Sequence, residues 1–398
     1  MAHLTHTKMV LLEGERHFDD VVIERNRKCE LLMLIPPPEQ GSGGRMTMAR
    51  ILRNLAASGI RCHVAFYPEV PDEAFSACER AWSDEFGFTA SECSVLRLEN
   101  AKGRAFDVAI ATFWPSAYVL RYQIRAKSKG YLVQDFEPYF YPPGSNYAFA
   151  EESYRLGLWG ICASPWLAKK LADDYGMITQ GFELGVDKDE YHVDPAVSRN
   201  GRLVVAYIRQ HTERRGYEFV MWALKKIKDE VPDVRIEIFG DGRLPPGEFL
   251  WIDKNHGILD HSQLRTLYNR AAVGIVTSFT NYSLIPNEMM ACGCAVVDLD
   301  MACMRSVFPP EAISLAKPTP RDVAGAVKAL VTDPAKRNRQ VAKGLAYVAD
   351  VSWERTLAEI NDAVVRFSGD KCVDAGGRSG FALDSRSGRP ALSTLRPE

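Results

Sequence analysis

The chain has 398 residues, a formal net charge of −2, 46% apolar and 25% charged side chains. That length allows two or three domains, and the composition excludes collagen-like, wholly disordered and disulfide-scaffold classes. Near-balanced charge argues against a nucleic-acid partner held by bulk electrostatics. The longest strongly apolar run, Leu31 to Ile35, is far shorter than the ~20 residues a membrane-spanning helix needs. The first twenty residues mix charges among apolar positions and contain no signal-peptide core, so a cytoplasmic location is expected. Nine cysteines are scattered without a CxxC pair. They read as small buried hydrophobes in a reducing compartment, with neither a metal site nor a disulfide expected.

In chain order, Leu31 to Ile35 is an unbroken apolar run suited to a parallel strand buried on both faces. A Pro- and Gly-rich turn follows, then a helix with Met48, Ile51, Leu52 and Leu55 on one face, closed by Gly59. Cys62 to Phe66 reads as the next strand, and further units are expected at Val108–Thr112, after Pro115, at Tyr131–Gln134 and at Ile161–Ala163. Ser164-Pro165 is an N-cap followed by Pro at the first helical position.

Periodicity lapses between Gly185 and Gly201, where the interdomain linker is expected. A second alternation of strands and helices then runs from Leu203 to Val297, followed by helices carrying Val323, Val327, Leu330 and Leu357, Ile360, Val364, Phe367. Two doubly wound parallel-sheet domains are predicted, over residues 1–195 and 196–368, facing each other across a cleft. The tail 369–398, rich in Gly, Ser, Arg and Asp, has no periodic face and reads as disordered.

Three segments carry candidate chemistry. Gly41-Ser42-Gly43-Gly44, between the first strand and helix, allows close ligand approach, with Gly43 and Gly44 opening the helix. The spacing is not GxGxxG, which disfavours a dinucleotide dehydrogenase. At a strand's carboxyl end, the segment 207–216 delivers Arg209, Arg214 and Arg215, permanently charged forks suited to a diphosphate. The polar loop after Ser278 carries Thr280, Asn281, Tyr282, Ser283 and Leu284 into a short helix with Glu288. An ionised Glu there accepts hydrogen bonds from sugar hydroxyls.

Together these segments resemble the nucleotide-sugar-binding half of the retaining family 4 glycosyltransferases, which have the two-domain GT-B fold. Arg209 matches the family's first Arg, Arg214 or Arg215 before Gly216 stands where Lys is usual, and Glu288 matches the second Glu of its paired-Glu motif. The resemblance extends to Phe239-Gly240-Asp241-Gly242 and, in the first half, to the Gly-rich loop and helix. Two positions depart from the pattern: Thr280 stands where the first Glu is usual, and Gln134-Asp135-Phe136-Glu137-Pro138 replaces a segment that often holds a His. The phrases around 130–142 and 280–293 are similar to a bacterial rhamnosyltransferase (WsaF-like) branch acting on cell-surface glycans.

The resemblance implies transfer of a sugar from a dTDP- or UDP-linked donor to a hydroxyl of a growing glycan or lipid-linked saccharide, with retention and with no metal or other cofactor. Arg209, Arg214 and Arg215 would then stabilise the departing diphosphate. Glu288, Ser283, Tyr282, Leu284, Gly43 and Gly44 would hold the donor, and Asp135, Glu137, Thr280 and Asn281 would meet sugar or acceptor. Arg121, Arg125, Lys127 and Lys129 read either as a solvated helix face or as a peripheral contact with anionic lipid. Competing readings are a non-catalytic GT-B binding protein and a nucleotide-sugar 2-epimerase. Oligomeric state is left open.

Overall fold

The computed structural model describes residues 28–38, 43–242 and 249–368. The expectations on the N-terminal twenty residues, on Gly41 and Ser42 and on the tail 369–398 lie outside the described residues.

Two all-parallel sheets organise the chain. The first holds β1 (Glu30–Ile35), β2 (Arg61–Phe66), β3 (Cys93–Leu96), β4 (Ala105–Ala111), β5 (Arg125–Val133), β6 (Trp159–Ala163) and β7 (Thr179–Phe182), in the order β3-β2-β1-β4-β5-β6-β7. Its helices are α1 (Gly43–Ala57), α2 (Asp72–Phe86), α3 (Leu98–Lys102), α4 (Trp114–Gln123), α5 (Ser145–Glu152) and α6 (Pro165–Tyr175). The second holds β8 (Asn200–Tyr207), β9 (Arg235–Phe239), β10 (Lys254–Asn255), β11 (Ala271–Ile275), β12 (Ala295–Leu299) and β13 (Ser314–Ala316), ordered β10-β9-β8-β11-β12-β13. Around it lie α7 (Tyr217–Glu230), α8 (His261–Arg270), α9 (Ile285–Ala291), α10 (Ala302–Arg305), α11 (Pro320–Thr332) and α12 (Pro334–Ala349).

Central strands with helices on both faces must be apolar at every position, and Leu31 to Ile35 are wholly buried. The expected caps are present: the Ser164 hydroxyl accepts from the Leu167 amide at 3.1 Å, and Gly59 takes φ +88° as it ends α1. Strand order reverses between β1 and β4 in one sheet and between β8 and β11 in the other, and such switch points are where doubly wound sheets bind ligands.

One assignment changes. The last helix, α13 (Trp353–Ser368), was grouped with the second domain and instead packs on the first. Asn54 donates to the Leu357 carbonyl, Ser128 to the Phe367 carbonyl at 2.9 Å, and Trp159 stacks on Phe367 at 5.2 Å. Its apolar stripe needed a sheet to cover, and the sheet it covers lies over 150 residues upstream. Among the described residues Cys62, Cys78, Cys93, Cys162, Cys292, Cys294 and Cys303 are free. Among the described residues no helix is long and apolar enough to cross a membrane.

Candidate functional site

The carboxyl end of β8 opens the site. The Ile208 amide still bonds to the Phe239 carbonyl at 2.9 Å, so the strand carries straight through to Arg209. A 3-10 turn at Glu213–Arg215 follows, and Gly216, at φ +60°, turns the chain into α7. A Cβ on Gly216 would stand 2.7 Å from the Phe279 ring, so only glycine lets this turn lie so close to the loop after β11. That loop grips the turn: the Phe279 amide donates to the Arg214 carbonyl at 3.0 Å and the Thr277 hydroxyl to the Arg215 carbonyl at 2.6 Å.

The three arginines, equivalent by sequence, occupy three environments. Arg209 is half-buried, and no hydrogen bond or ion pair engages its guanidinium among the described residues. Arg214 reaches across to the first domain, where it pairs with Asp135 Oδ2 at 3.2 Å and lies 4.8 Å over the Phe140 ring. Arg215 has a buried Nη1 without a hydrogen-bond partner among the described residues. Burial, and then the neighbouring Arg214 charge, weaken its hold on the proton.

The loop between β11 and α9 makes most of the cross-cleft bonds. Thr280 is buried and donates to Asp135 Oδ2 at 2.9 Å. Asn281 is also buried: its amide donates to the Gln134 carbonyl at 3.0 Å and the Ala163 carbonyl at 2.6 Å, and its Oδ1 accepts from Ser164 at 3.3 Å. The Tyr282 hydroxyl accepts from the Leu184 amide at 2.6 Å. Asn281 and Tyr282, expected to meet ligand, thus commit their polar atoms to joining the domains. Ser283 has a buried hydroxyl without a partner, and Leu284 leads into α9.

Glu288 sits in the first turn of α9 and makes no side-chain hydrogen bond or ion pair among the described residues. Burial pushes its carboxyl up to about 8, opposed by the Arg50 charge. The buried Tyr268 hydroxyl near it also lacks a hydrogen-bond partner. A carboxyl group beside an unsatisfied phenol is a ready hydrogen-bond partner for hydroxyl groups.

On the first-domain side, a Cβ on Gly44 would lie 3.1 Å from Gln134 Nε2, so the start of α1, with Gly43, closes on the end of β5. Asp135 follows Gln134. Its Oδ1 accepts from the Phe136 amide at 2.9 Å, and burial raises its pKa against the opposing pull of Arg214 and Thr280.

Glu137 corrects the sequence reading. It is 5% exposed, with one oxygen taken by the Trp114 amide at 2.7 Å and the other by the Tyr131 hydroxyl at 2.7 Å. Burial pushes it to about 8. It anchors the start of α4 inside the first domain and does not face the cleft. The basic group behind α4 is partly spent within its own domain, with Lys127 paired to Asp107 at 3.5 Å and Lys129 donating to the Arg121 carbonyl at 3.1 Å.

Sequence reasoning gave Ser164 only a capping role and Ser278 only the end of a strand, and it missed Asp298. Ser164 takes φ 144° and ψ 152°, a region nearly reserved for glycine, where it caps α6 and touches Asn281. Ser278 and Asp298 are each 1% exposed, and each has a buried oxygen without a partner. The signal for Asp298 in the sequence was a charged residue interrupting the apolar run of β12.

Comparison with known proteins gives consistent matches. Residues 211–362 match a family described as glycosyl transferase-like. The O-antigen biosynthesis protein RfbC of Myxococcus xanthus is 33% identical over 261 residues, 64% of this chain, and the chain spans 20% of that relative's length. Anabaena HepE, solved with UDP and glucose, shares the fold with a TM-score of 0.64 at 15% identity over 85% of this chain and 98% of its own. Sucrose-phosphate synthase from Thermosynechococcus elongatus has a TM-score of 0.62 at 16% identity, again over 85% and 98%. The fold is GT-B.

Proposed function

We propose that this chain, which has the GT-B fold, is a glycosyltransferase that moves a sugar from a nucleoside diphosphate donor to a hydroxyl of a growing polysaccharide or lipid-linked saccharide. One observation carries the reading. Arg209, with no partner, the orphaned Nη1 of Arg215 and the unpaired carboxylate of Glu288 all belong to the loops and helix that follow the carboxyl ends of β8 and β11. Two cations for a diphosphate and one acceptor for ribose or sugar hydroxyls are the groups such a donor requires.

As the anomeric C–O bond to the diphosphate breaks, negative charge gathers on the leaving oxygens. Arg209 and Arg215 are the cations that meet it. The acceptor oxygen bonds to the anomeric carbon on the face the diphosphate leaves, its proton passing to a departing phosphate oxygen, so configuration is retained and the step needs no metal. Arg214 has a different part from its neighbours, pairing with Asp135 to hold the domains around the donor and exclude water. Asp135 and Thr280 stand at the seam where the sugar would lie, and Gly43 and Gly44 leave room for it.

HepE's UDP and glucose support the donor class, and RfbC's place in O-antigen biosynthesis supports a polysaccharide acceptor. Within that class, dTDP-rhamnose and UDP-hexoses are the donors to try. The test is release of nucleoside diphosphate from UDP- and dTDP-sugars, with and without saccharide acceptor, for the full chain and Arg209→Ala. Release that the acceptor stimulates and Arg209→Ala abolishes supports the reading; a chain that turns over no donor, or that yields only an epimerised nucleotide sugar, overturns it.

A further inference from the structure

We propose that Asp298 is a positioning residue for Arg215: together with Ser278 it forms a buried polar floor that holds the Arg215 guanidinium aimed into the cleft. This rests on the reading of the cleft as a diphosphate site.

Three side-chain atoms among the described residues are buried without a hydrogen-bond partner on adjacent segments of the second sheet: Arg215 Nη1, Ser278 Oγ and Asp298 Oδ2. The backbone brings these segments together. Ile275 pairs with Val297, and the Val276 amide donates to the Val297 carbonyl at 3.1 Å, so residues 277–278 run beside 298–299. On the other side, Thr277 binds the Arg215 carbonyl at 2.6 Å. Asp298 Oδ1 is held by the Leu299 amide at 2.7 Å, and the Ser278 backbone amide also favours the charged carboxyl, which brings Ser278 and Asp298 side by side.

Isolated orphans in a protein interior are rare, and three together imply a shared partner. One acceptor, one donor and one hydroxyl can be satisfied by a single buried water or by each other. Asp298 lies in a strand that is buried throughout, Ala295 to Leu299, where a carboxylate is unfavourable unless a cation compensates it. Arg215 is the cation whose field acts on Asp298, and Asp298 acts reciprocally on Arg215. The other ionisable groups in reach are Cys303 on α10, which feels both Asp298 and Asp135, and Arg214, Tyr207 and Asp135, all of which act on Arg215. An aspartate at this depth has no role in packing that leucine or valine would not fill better. Beyond the backbone amides it receives, the cation its charge acts on is Arg215.

The experiment is calorimetric binding to the full chain of UDP, dTDP, GDP and ADP, each against its own nucleoside. For the diphosphate bound most tightly, Asp298→Asn should weaken affinity roughly tenfold, leave nucleoside affinity unchanged, and have no further effect in an Arg215→Ala background. Equal loss for diphosphate and nucleoside, full additivity with Arg215→Ala, or wild-type affinity in Asp298→Asn would each overturn the proposal. Should Asp298→Asn fail to fold, Ser278→Ala tests the same floor: a loss of a few-fold for the diphosphate alone supports it, and no loss overturns it. A wild-type chain that binds no diphosphate overturns the site reading and this inference with it. A chain that binds one but ignores Asp298 overturns this inference only.

Discussion

The loop from Thr277 to Glu288 divides its polar atoms between two kinds of neighbour. Toward the first domain, Thr280, Asn281 and Tyr282 are buried and bonded to Asp135, to the Gln134 and Ala163 carbonyls and to the Leu184 amide. Toward its own sheet, Ser278 and Ser283 have buried oxygens without partners, as does Asp298 nearby, and Glu288 has no side-chain bond. Buried polar groups are nearly always satisfied. The seam obeys that rule and the floor violates it, which separates residues that hold the domains from residues proposed to meet the donor.

Removing the unpaired cation should sharpen the contrast most. Arg209→Ala deletes a guanidinium that supports nothing in the fold, so turnover should fall by roughly 10²–10³ while the unfolding midpoint in urea stays within error. A parallel loss of stability would mean that Arg209 has a structural partner.

Asn281→Ala should do the reverse. It strands two buried carbonyls and the Ser164 hydroxyl, a destabilisation of roughly 3 kcal/mol, read as a lower urea midpoint. Nucleoside diphosphate affinity should change much less. If affinity collapses while stability holds, Asn281 belongs to the ligand and the division drawn here is wrong.

Much of this architecture was legible in the sequence, because strands buried on both faces announce themselves as apolar runs, as at Leu31 to Ile35 and Ala295 to Val297. Short or half-buried elements such as β7 and β13 carry no such run. The helix α13 shows another limit: its periodicity reveals an apolar face but not which sheet that face covers. At the site, Arg209, Arg214 and Arg215 look alike as letters, and only the third dimension gives one no partner, one an aspartate across the cleft and one a buried floor. Glu137 misled for the same reason. A carboxylate at a strand end reads as a ligand contact until the Trp114 amide and Tyr131 hydroxyl close on it.

Glu137 also gives a pH signature that belongs to the fold and not to the cleft. Burial raises Glu137 to about 8. The folded chain therefore holds a proton that the unfolded chain releases near the ordinary carboxyl range, and stability should fall as pH rises from about 5 to about 8. Glu137→Gln keeps an acceptor for Trp114 and a donor for the Tyr131 oxygen while removing the titration. The urea midpoint should then decline less steeply over that interval, by on the order of 2 kcal/mol, with turnover preserved. An unchanged slope would mean that Glu137 is ionised in the folded state.

Thr280→Val is the smallest and most discriminating change. The isosteric swap removes one hydrogen bond to Asp135, about 1 kcal/mol, and leaves Arg214 as the side chain that still bonds Asp135 Oδ2. If the seam only holds the domains, stability should drop by that amount and the preference among donor sugars should not move. If Thr280 instead aims Asp135 at a sugar hydroxyl, the ratio of kcat/KM between two donors differing at one hydroxyl should shift, because a freed carboxylate no longer favours one geometry. The seam and the sugar subsite would then meet at this single oxygen, and the boundary between holding and binding would run through Asp135 Oδ2.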